Sequence, residues 1–172
     1  MRTFSLLAIL APLVLAGCGA ASAPARYTVF FRANAPFSRH VVPYPPDAVL
    51  RALPLAYADL ELPVGPTGRE PMEFSTPQLR VQGQLFGRRN AEFIECGPAG
   101  PGGSLEEQGE VLLAMLTRLE AAEGNATAVI TQMDVYARRR DVASNPVACT
   151  SRGVVEEVVV AALLRRLRSD AP

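Results

Sequence analysis

Val111 to Tyr136, VLLAMLTRLEAAEGNATAVITQMDVY, is the stretch that decides the fold. Alternate positions are largely apolar in both of its halves, and this period of two is typical of half-buried strands. One face of the first half carries Val111, Leu113, Met115, Thr117 and Leu119, and one face of the second carries Val129, Thr131, Met133 and Val135. Glu123-Gly124-Asn125 between them suits a hairpin. We predict two long antiparallel strands, although the Leu and Ala content of the first would also suit a helix.

A helix is predicted at the C-terminus, from Gly153 to Arg168. Apolar residues recur there at helical spacing, at Val155, Val159, Ala162 and Leu163 among others. Acidic residues come early and arginines late, which complements the helix dipole. The run of three valines from Val158 would also suit a strand. Ser151 is the predicted N-cap.

The N-terminal part of the domain begins with two strand candidates, Tyr27–Phe31 and Phe37–Val42. Pro45-Pro46 followed by an aspartate then signals the start of a helix. Pro54 lies within that helical pattern, so we expect it to kink or interrupt the helix.

The middle of the chain reads as short strands separated by turns. Alternation predicts strands over Asp59–Val64, Met72–Ser75 and Leu79–Phe86, of which the last has the most regular pattern. The glycine- and proline-rich segment Gly97–Gly103 predicts a mobile loop.

This order of elements predicts the α+β class. Several antiparallel strands with helices on one face form a two-layer domain. We expect a twisted antiparallel sheet packed against the C-terminal helix, which is the helix-grip arrangement.

The first residues have the features of an export leader. Arg2 precedes an apolar stretch, Phe4 to Leu15, that is shorter than the roughly 20 residues of a membrane-spanning helix. Leu15-Ala16-Gly17-Cys18 follows and resembles the lipobox of bacterial lipoproteins. That resemblance implies lipid transfer to the Cys18 thiol, cleavage before Cys18, and acylation of the new amino terminus. The alternative is a plain signal peptide in which this cysteine has no role.

The leader implies a division of the chain and a location. We expect a signal peptide over 1–17, a lipidated N-terminus and tether over 18–26, and a single α+β domain over 27–172. Gly19 stands where some bacteria place an aspartate to retain lipoproteins in the inner membrane. We therefore expect the outer membrane, with the domain facing the periplasm and the lipid as its membrane contact. The formal net charge is +0, which gives no reason to expect a nucleic-acid partner.

Three cysteines are present, and two remain if Cys18 carries lipid. An even pair in an oxidising compartment predicts a disulfide between Cys96 and Cys149, which would stabilise the fold by roughly 4 kcal/mol. The alternative is a redox-active pair of thiols, but such pairs usually have C-x-x-C spacing, which these two lack.

Catalytic residues are not evident in the sequence. His40 is the only histidine, so it has no second histidine with which to bind a metal. Thr150-Ser151-Arg152-Gly153 matches only the second half of a nucleophile elbow. We therefore expect no metal and no cofactor, and we predict that the protein is not an enzyme.

Arg138, Arg139 and Arg140 form the densest charge cluster. A solvated strand end is the ordinary interpretation. The functional interpretation is a contact for anionic head groups or an acidic protein partner, because arginine binds phosphates and carboxylates in a forked geometry.

The segment Cys149-Thr150-Ser151-Arg152-Gly153-Val154-Val155-Glu156 resembles a C-x-S-x-G-x-x-E segment that opens the last helix in a loose group of small bacterial envelope lipoproteins. Their general shape is similar to the helix-grip domains of the C lipoprotein of the β-barrel assembly machinery. The resemblance implies a non-catalytic docking or scaffolding role in envelope assembly, with an envelope protein as partner. Two other hypotheses remain: a carrier of an apolar ligand, and a serine hydrolase acting through Ser151.

Overall fold

The computed structural model describes residues 35–67, 69–100, 103–140 and 145–169. The first strand candidate, Tyr27–Phe31, lies outside these residues, as do the leader and Cys18. The described helices and strands, in chain order, are β1 (Phe37–Val42), α1 (Pro46–Asp59), β2 (Gly65–Pro66), β3 (Glu73–Ser75), β4 (Leu79–Val81), β5 (Gln84–Leu85), β6 (Arg88–Arg89), β7 (Ile94–Glu95), β8 (Pro98–Gly100), β9 (Gly103–Ser104), α2 (Leu105–Gln108), β10 (Glu110–Ala122), β11 (Ala126–Arg138), β12 (Val147–Ala148), β13 (Thr150–Ser151) and α3 (Val154–Ser169).

The long hairpin predicted from the sequence forms the centre of the sheet. β10 and β11 pair along their whole length, from Glu110 opposite Arg138 to Ala122 opposite Ala126. Gly124 and Asn125 have positive φ in the turn between them. The remaining strands add on both sides in the order β1-β11-β10-β3-β2, while β4 also pairs with β10 and β12 with β11. The pairings within this sheet are antiparallel, so the α+β class is confirmed at this level.

One face of the sheet is covered by α1 and α3, which also pack against each other. We call this the inner face. Tyr57 of α1 is 1% exposed, and its hydroxyl lies 2.7 Å from Thr117 Oγ1 of β10, which in turn lies 3.3 Å from Thr131 Oγ1 of β11. The largest fully buried side chains include Tyr57, Phe93, Leu53, Leu113, Met115, Met133 and Leu163. Among the described residues, the layer where the carrier hypothesis would place an apolar ligand therefore contains many buried side chains.

Pro54 does not interrupt α1, which is continuous from Pro46 to Asp59. A proline in a helix interior removes one backbone hydrogen bond and costs about 3 kcal/mol. The buried stripe on the same helix offsets this cost by packing into the core; its residues are Val49, Ala52, Leu53, Ala56 and Tyr57. At the end of the helix, Asp59 forms a hydrogen-bonded ion pair with Arg166 of α3. The hydrogen bond from Arg166 lowers the pKa of the Asp59 carboxyl group.

The strand predicted over Asp59–Val64 is wrong, because this segment ends α1. The N–H of Glu61 donates to Ala58 O, and the N–H of Leu62 donates to Tyr57 O, which is the hydrogen-bond pattern of a Schellman motif. Leu62 is buried, so the alternation seen in the sequence reflects a helix end that packs back onto the core.

Replacing Glu61 with glycine should stabilise the protein. Glu61 holds φ at 56°, in the left-handed region that is unfavourable for a residue with a side chain. After the greater freedom of glycine in the unfolded state is subtracted, we expect the free energy of unfolding to rise by about 0.5–1 kcal/mol. Urea unfolding would measure this, with Glu61→Ala as the matched control. If Glu61→Ala stabilises the protein equally, backbone strain is not the cause.

The strand predicted over Leu79–Phe86 is only partly formed. Leu79–Val81 pairs with β10, but the chain then leaves the sheet. Gly83, Phe86 and Gly87 all have positive φ, which turns the following residues into the small β5–β6 hairpin. The loop predicted over Gly97–Gly103 is also wrong in part, since β8 and β9 pair across it.

The C-terminal helix is confirmed, but Ser151 is not its N-cap. Gly153 lies directly before the helix, and its carbonyl accepts a hydrogen bond from the Glu157 N–H. Ser151 lies two residues before Gly153 and forms hydrogen bonds at the start of the helix. Its hydroxyl oxygen accepts the Gly153 N–H at 3.0 Å and donates to the Glu156 carboxylate at 2.8 Å.

Candidate functional site

The outer face of the sheet is the side that α1 and α3 do not cover. Thr117 points toward α1, and side chains alternate along a strand, so the even-numbered residues of β10 point away from the helices. Directly paired residues share a face. The outer face therefore also carries the even-numbered residues of β11 and the odd-numbered residues of β1.

Part of the outer face is shielded from solvent, and we call it the covered zone. It comprises Ser75, Ala114 and Asp134, which are 1%, 2% and 3% exposed. Two of these three side chains are polar.

We call the more exposed part of the outer face the open zone, although Ala128 and Glu73 beside it are only 0% and 8% exposed. Phe37 and Val41 of β1 are 68% and 54% exposed, although both are large apolar side chains. Arg39 lies between them on the same strand and pairs across with Ile130, which pairs in turn with Arg118. The open zone comprises Phe37, Arg39, Val41, Arg118, Glu120 and Ile130.

The open zone and the residues beside it carry both signs of charge. Arg118 forms an ion pair with Glu120 at 3.0 Å, while the Arg39 side chain is exposed on the edge strand β1. The open zone holds two arginines and one glutamate, and a second glutamate, Glu73 of β3, lies opposite Arg118 on the same face. The arrangement can receive an apolar surface and pair one carboxylate with Arg39.

The arginine cluster at the end of β11 is engaged within the fold. Arg138 donates to Glu110 Oε2 at 2.6 Å, and Arg80 donates to Oε1 of the same carboxylate at 2.7 Å. The hydrogen bond from Arg138 is the main cause that lowers the pKa of Glu110. Arg140 donates to the carbonyl of Gly109 at 3.1 Å and, with Arg139, borders a shallow depression. The anion or partner contact predicted at Arg138–Arg140 stays a prediction.

The disulfide between Cys96 and Cys149 is present in the structure. It links the residue after β7 to the residue before β13, and these two strands also pair with each other. Cys149 lies five positions before the first residue of α3, so the bridge ties the start of the terminal helix to the middle of the chain.

Ser151 and His40 lie on different elements. His40 is on β1 opposite Val129 of β11. The Ser151 hydroxyl donates to Glu156, whose side chain is buried at the first turn of α3. Ser151 therefore has a structural role at the start of α3. This arrangement does not support the hydrolase hypothesis.

The predicted lipidation residue, Cys18, lies outside the described residues. Within the described ranges, none of the helices combines the length and apolar character needed to cross a bilayer. In the same part of the chain, we find no cluster of three or more His, Cys, Asp or Glu side chains able to hold a metal ion.

Sequence inspection missed the division of the outer face into two zones, although β10 contains a signal for it. The outward positions Leu112, Ala114 and Leu116 are apolar, whereas the outward positions Arg118 and Glu120 are charged. Apolar residues on both faces of a strand indicate burial on both sides.

No protein-family model matches the chain, and a search of curated proteins finds no relative.

Proposed function

We propose that this protein is a lipid-anchored, non-catalytic component of a bacterial envelope that docks another protein through its open zone. In this proposal Cys18 carries the lipid and holds the domain at the periplasmic side of the outer membrane. The large antiparallel sheet with a C-terminal helix supports the helix-grip likeness on which an assembly role rests.

The observation that carries this proposal is the exposure of Phe37 and Val41 on an edge strand. Phe37 and Val41 flank Arg39 and its partner Ile130 on one face, and apolar side chains grouped on a surface often mark interaction sites. β1 ends the order of the sheet, so this strand also has an edge that is not paired in the described sheet.

The partner is a protein surface with an apolar centre and a carboxylate at its rim. The apolar centre would cover Phe37, Val41 and Ile130, and the carboxylate would face Arg39. A charge at the rim of an interface contributes mainly to selection and association rate, while the apolar centre supplies most of the affinity.

In-cell photo-cross-linking would test the docking surface. A photoreactive amino acid at Val41 should give one discrete adduct with another envelope protein, while the same amino acid at exposed Arg51 on α1 should not. Arg39→Glu should reduce the adduct several-fold, because it places two carboxylates opposite each other, and Arg51→Glu is the matched control. Equal adducts at both positions, or adducts only with a second copy of this chain, would contradict the proposal.

The lipid anchor needs a separate measurement. In the Cys18→Ser variant, the exported protein should move from the membrane to the soluble fraction, while the circular dichroism spectrum of the domain stays unchanged. A variant that remains in the membrane fraction rules out Cys18 as the anchor but leaves the docking surface to be judged by the cross-linking result.

A further inference from the structure

Hydrogen bonds on β10 show which way the backbone groups of the sheet point. In an antiparallel sheet, the N–H and C=O of one residue face one neighbouring strand, and those of the next residue face the other. The N–H of Met115 donates to Thr76 Oγ1, and the Met115 carbonyl accepts from the Thr76 N–H. The N–H of Leu119 donates to Met72 O. The odd-numbered residues of β10 therefore direct their backbone groups toward β3, and the even-numbered residues direct theirs toward β11.

This alternation continues across β11 to β1. Even-numbered residues of β10 pair with even-numbered residues of β11, so the odd-numbered residues of β11 face β1. The hydrogen bond from the Cys149 N–H to Val135 O lies on that side of β11 and agrees with this pattern. The β1 residues opposite odd-numbered residues of β11 are even-numbered. The odd-numbered residues of β1 therefore direct their N–H and C=O groups away from β11; they are Phe37, Arg39 and Val41. We call this side of β1 the outward edge.

The outward edge coincides with the open zone. Phe37 and Val41, whose side chains are 68% and 54% exposed, are the same residues whose backbone groups face outward, and Arg39 between them is also exposed. Among the described strands, none pairs with β1 along this edge. Backbone donors and acceptors thus lie beside an exposed row of side chains that reads apolar, basic, apolar.

We propose that the docking partner adds an extended segment antiparallel to the outward edge of β1, with a carboxylate opposite Arg39 and apolar side chains opposite Phe37 and Val41. This inference rests on the proposed function and specifies how the partner binds. Backbone hydrogen bonds supply affinity in such strand addition, and alternate side chains supply specificity. Directly paired residues share a face, so the partner segment carries the pattern apolar-x-acidic-x-apolar.

The charge of Arg39 favours an acidic partner over a second copy of this chain. Among the described residues, none forms an ion pair with Arg39, whereas Arg118 pairs with Glu120 at 3.0 Å. A second copy that paired all of its outward residues with those of the first would place the two Arg39 side chains directly opposite each other. Like charges in that position are destabilising, while opposite charges stabilise the pair.

Hydrogen exchange of the exported Cys18→Ser chain would show whether the outward edge is accessible. The outward amides should exchange faster, by about ten-fold or more, than those of Ser38 and His40, which face β11. Equal protection of both sets would mean that the outward edge is already paired within the protein, and it would overturn the proposal.

A synthetic peptide would test strand addition before the partner is known. The probe is acetyl-Thr-Val-Thr-Glu-Thr-Val-Thr-amide, and the control peptide has lysine in place of glutamate. At millimolar concentration, the glutamate peptide should slow the exchange of the outward amides several-fold, and the lysine peptide should slow it much less. Arg39→Glu should reverse this preference, whereas Arg51→Glu should not. If neither peptide slows these amides, or both do so equally, the proposal is wrong, while cross-linking at Val41 still judges the docking surface.

Proline at position 41 would test the backbone contact with the native partner. Val41→Pro and Val41→Ala both remove the valine side chain, but only proline removes the outward N–H. With a photoreactive amino acid at Phe37, Val41→Pro should reduce the cross-linked adduct several-fold more than Val41→Ala does. An equal reduction would leave the docking surface in place and contradict strand addition. The peptide result decides the case in which Val41→Pro does not fold.

Discussion

Removing the disulfide between Cys96 and Cys149 should lower the free energy of unfolding by about 4 kcal/mol. The two cysteines are 53 positions apart, and a cross-link across a loop of that length reduces the conformational freedom of the unfolded chain. For a domain of this size, the loss corresponds to a fall in melting temperature of roughly 10–15 °C. Urea unfolding of the double variant Cys96→Ala/Cys149→Ala, beside the unmodified protein, would measure it.

Reduction of the unmodified protein is the matched control for the double variant. Reduction removes the cross-link but keeps both sulfur atoms in their buried positions, so it separates the loss of the bridge from the loss of packing. Both treatments should destabilise the protein by a similar amount. A reduced protein that unfolds within 1 kcal/mol of the oxidised one would show that the bridge contributes little, on the order of a single ordinary contact.

Replacing Tyr57 with alanine should lower the free energy of unfolding by about 3–5 kcal/mol, which is the range for large aromatic side chains in cores. Tyr57 is fully buried between α1 and the sheet, and its hydroxyl bonds to Thr117. Alanine would leave a cavity and remove the hydrogen bond between Tyr57 and Thr117. Urea unfolding followed by far-ultraviolet circular dichroism would measure the loss.

The Tyr57→Phe variant separates the ring from the hydroxyl. It keeps the packing, and Thr117 retains Thr131 as a partner, so we expect a loss of only about 1 kcal/mol. A Tyr57→Phe variant that is as unstable as Tyr57→Ala would show that the hydrogen bond, and not the packed ring, holds α1 to the sheet.

The pH dependence gives a further check on Tyr57. Burial raises its pKa to about 12 in the folded protein, while the unfolded value is near 10. Between these values the unfolded chain releases the proton and the folded protein keeps it, so the stability is fully present below pH 10 and falls as the pH rises toward 12. Over this pH window, the free energy of unfolding of the wild type should fall by up to about 3 kcal/mol relative to that of Tyr57→Phe. In a rapid absorbance titration, the wild type should show a phenolate transition near pH 12 that is missing from Tyr57→Phe.

The parts of the fold that the sequence predicted are those with a long, regular pattern. In β10 and β11 the apolar period of two extends over many residues, and the predicted faces are the buried ones. In α3, apolar spacing and end charges agree with each other. Long patterns average out local exceptions, whereas boundaries such as the N-cap at Ser151 depend on a few atoms.

The two wrong strand predictions share one physical cause. Over Asp59–Val64 and Leu79–Phe86, alternation indicates which residues are buried, but not what they are buried against. A helix end that packs back onto the core at Leu62 produces the same alternation as a strand. Positive φ at Gly83 then takes the chain out of the sheet after three paired residues.

By itself, the sequence predicted the central hairpin, the terminal helix and, on the expectation that Cys18 carries lipid, the pairing of Cys96 with Cys149, because periodicity and cysteine count are local or countable properties. Only the tertiary structure decided how the outer face divides into a covered zone at Asp134 and an open zone at Phe37. Side-chain alternation assigns each residue to one of two faces of a sheet. Which other segments lie on each face depends on strand order, on register, and on the space that remains once the helices are packed.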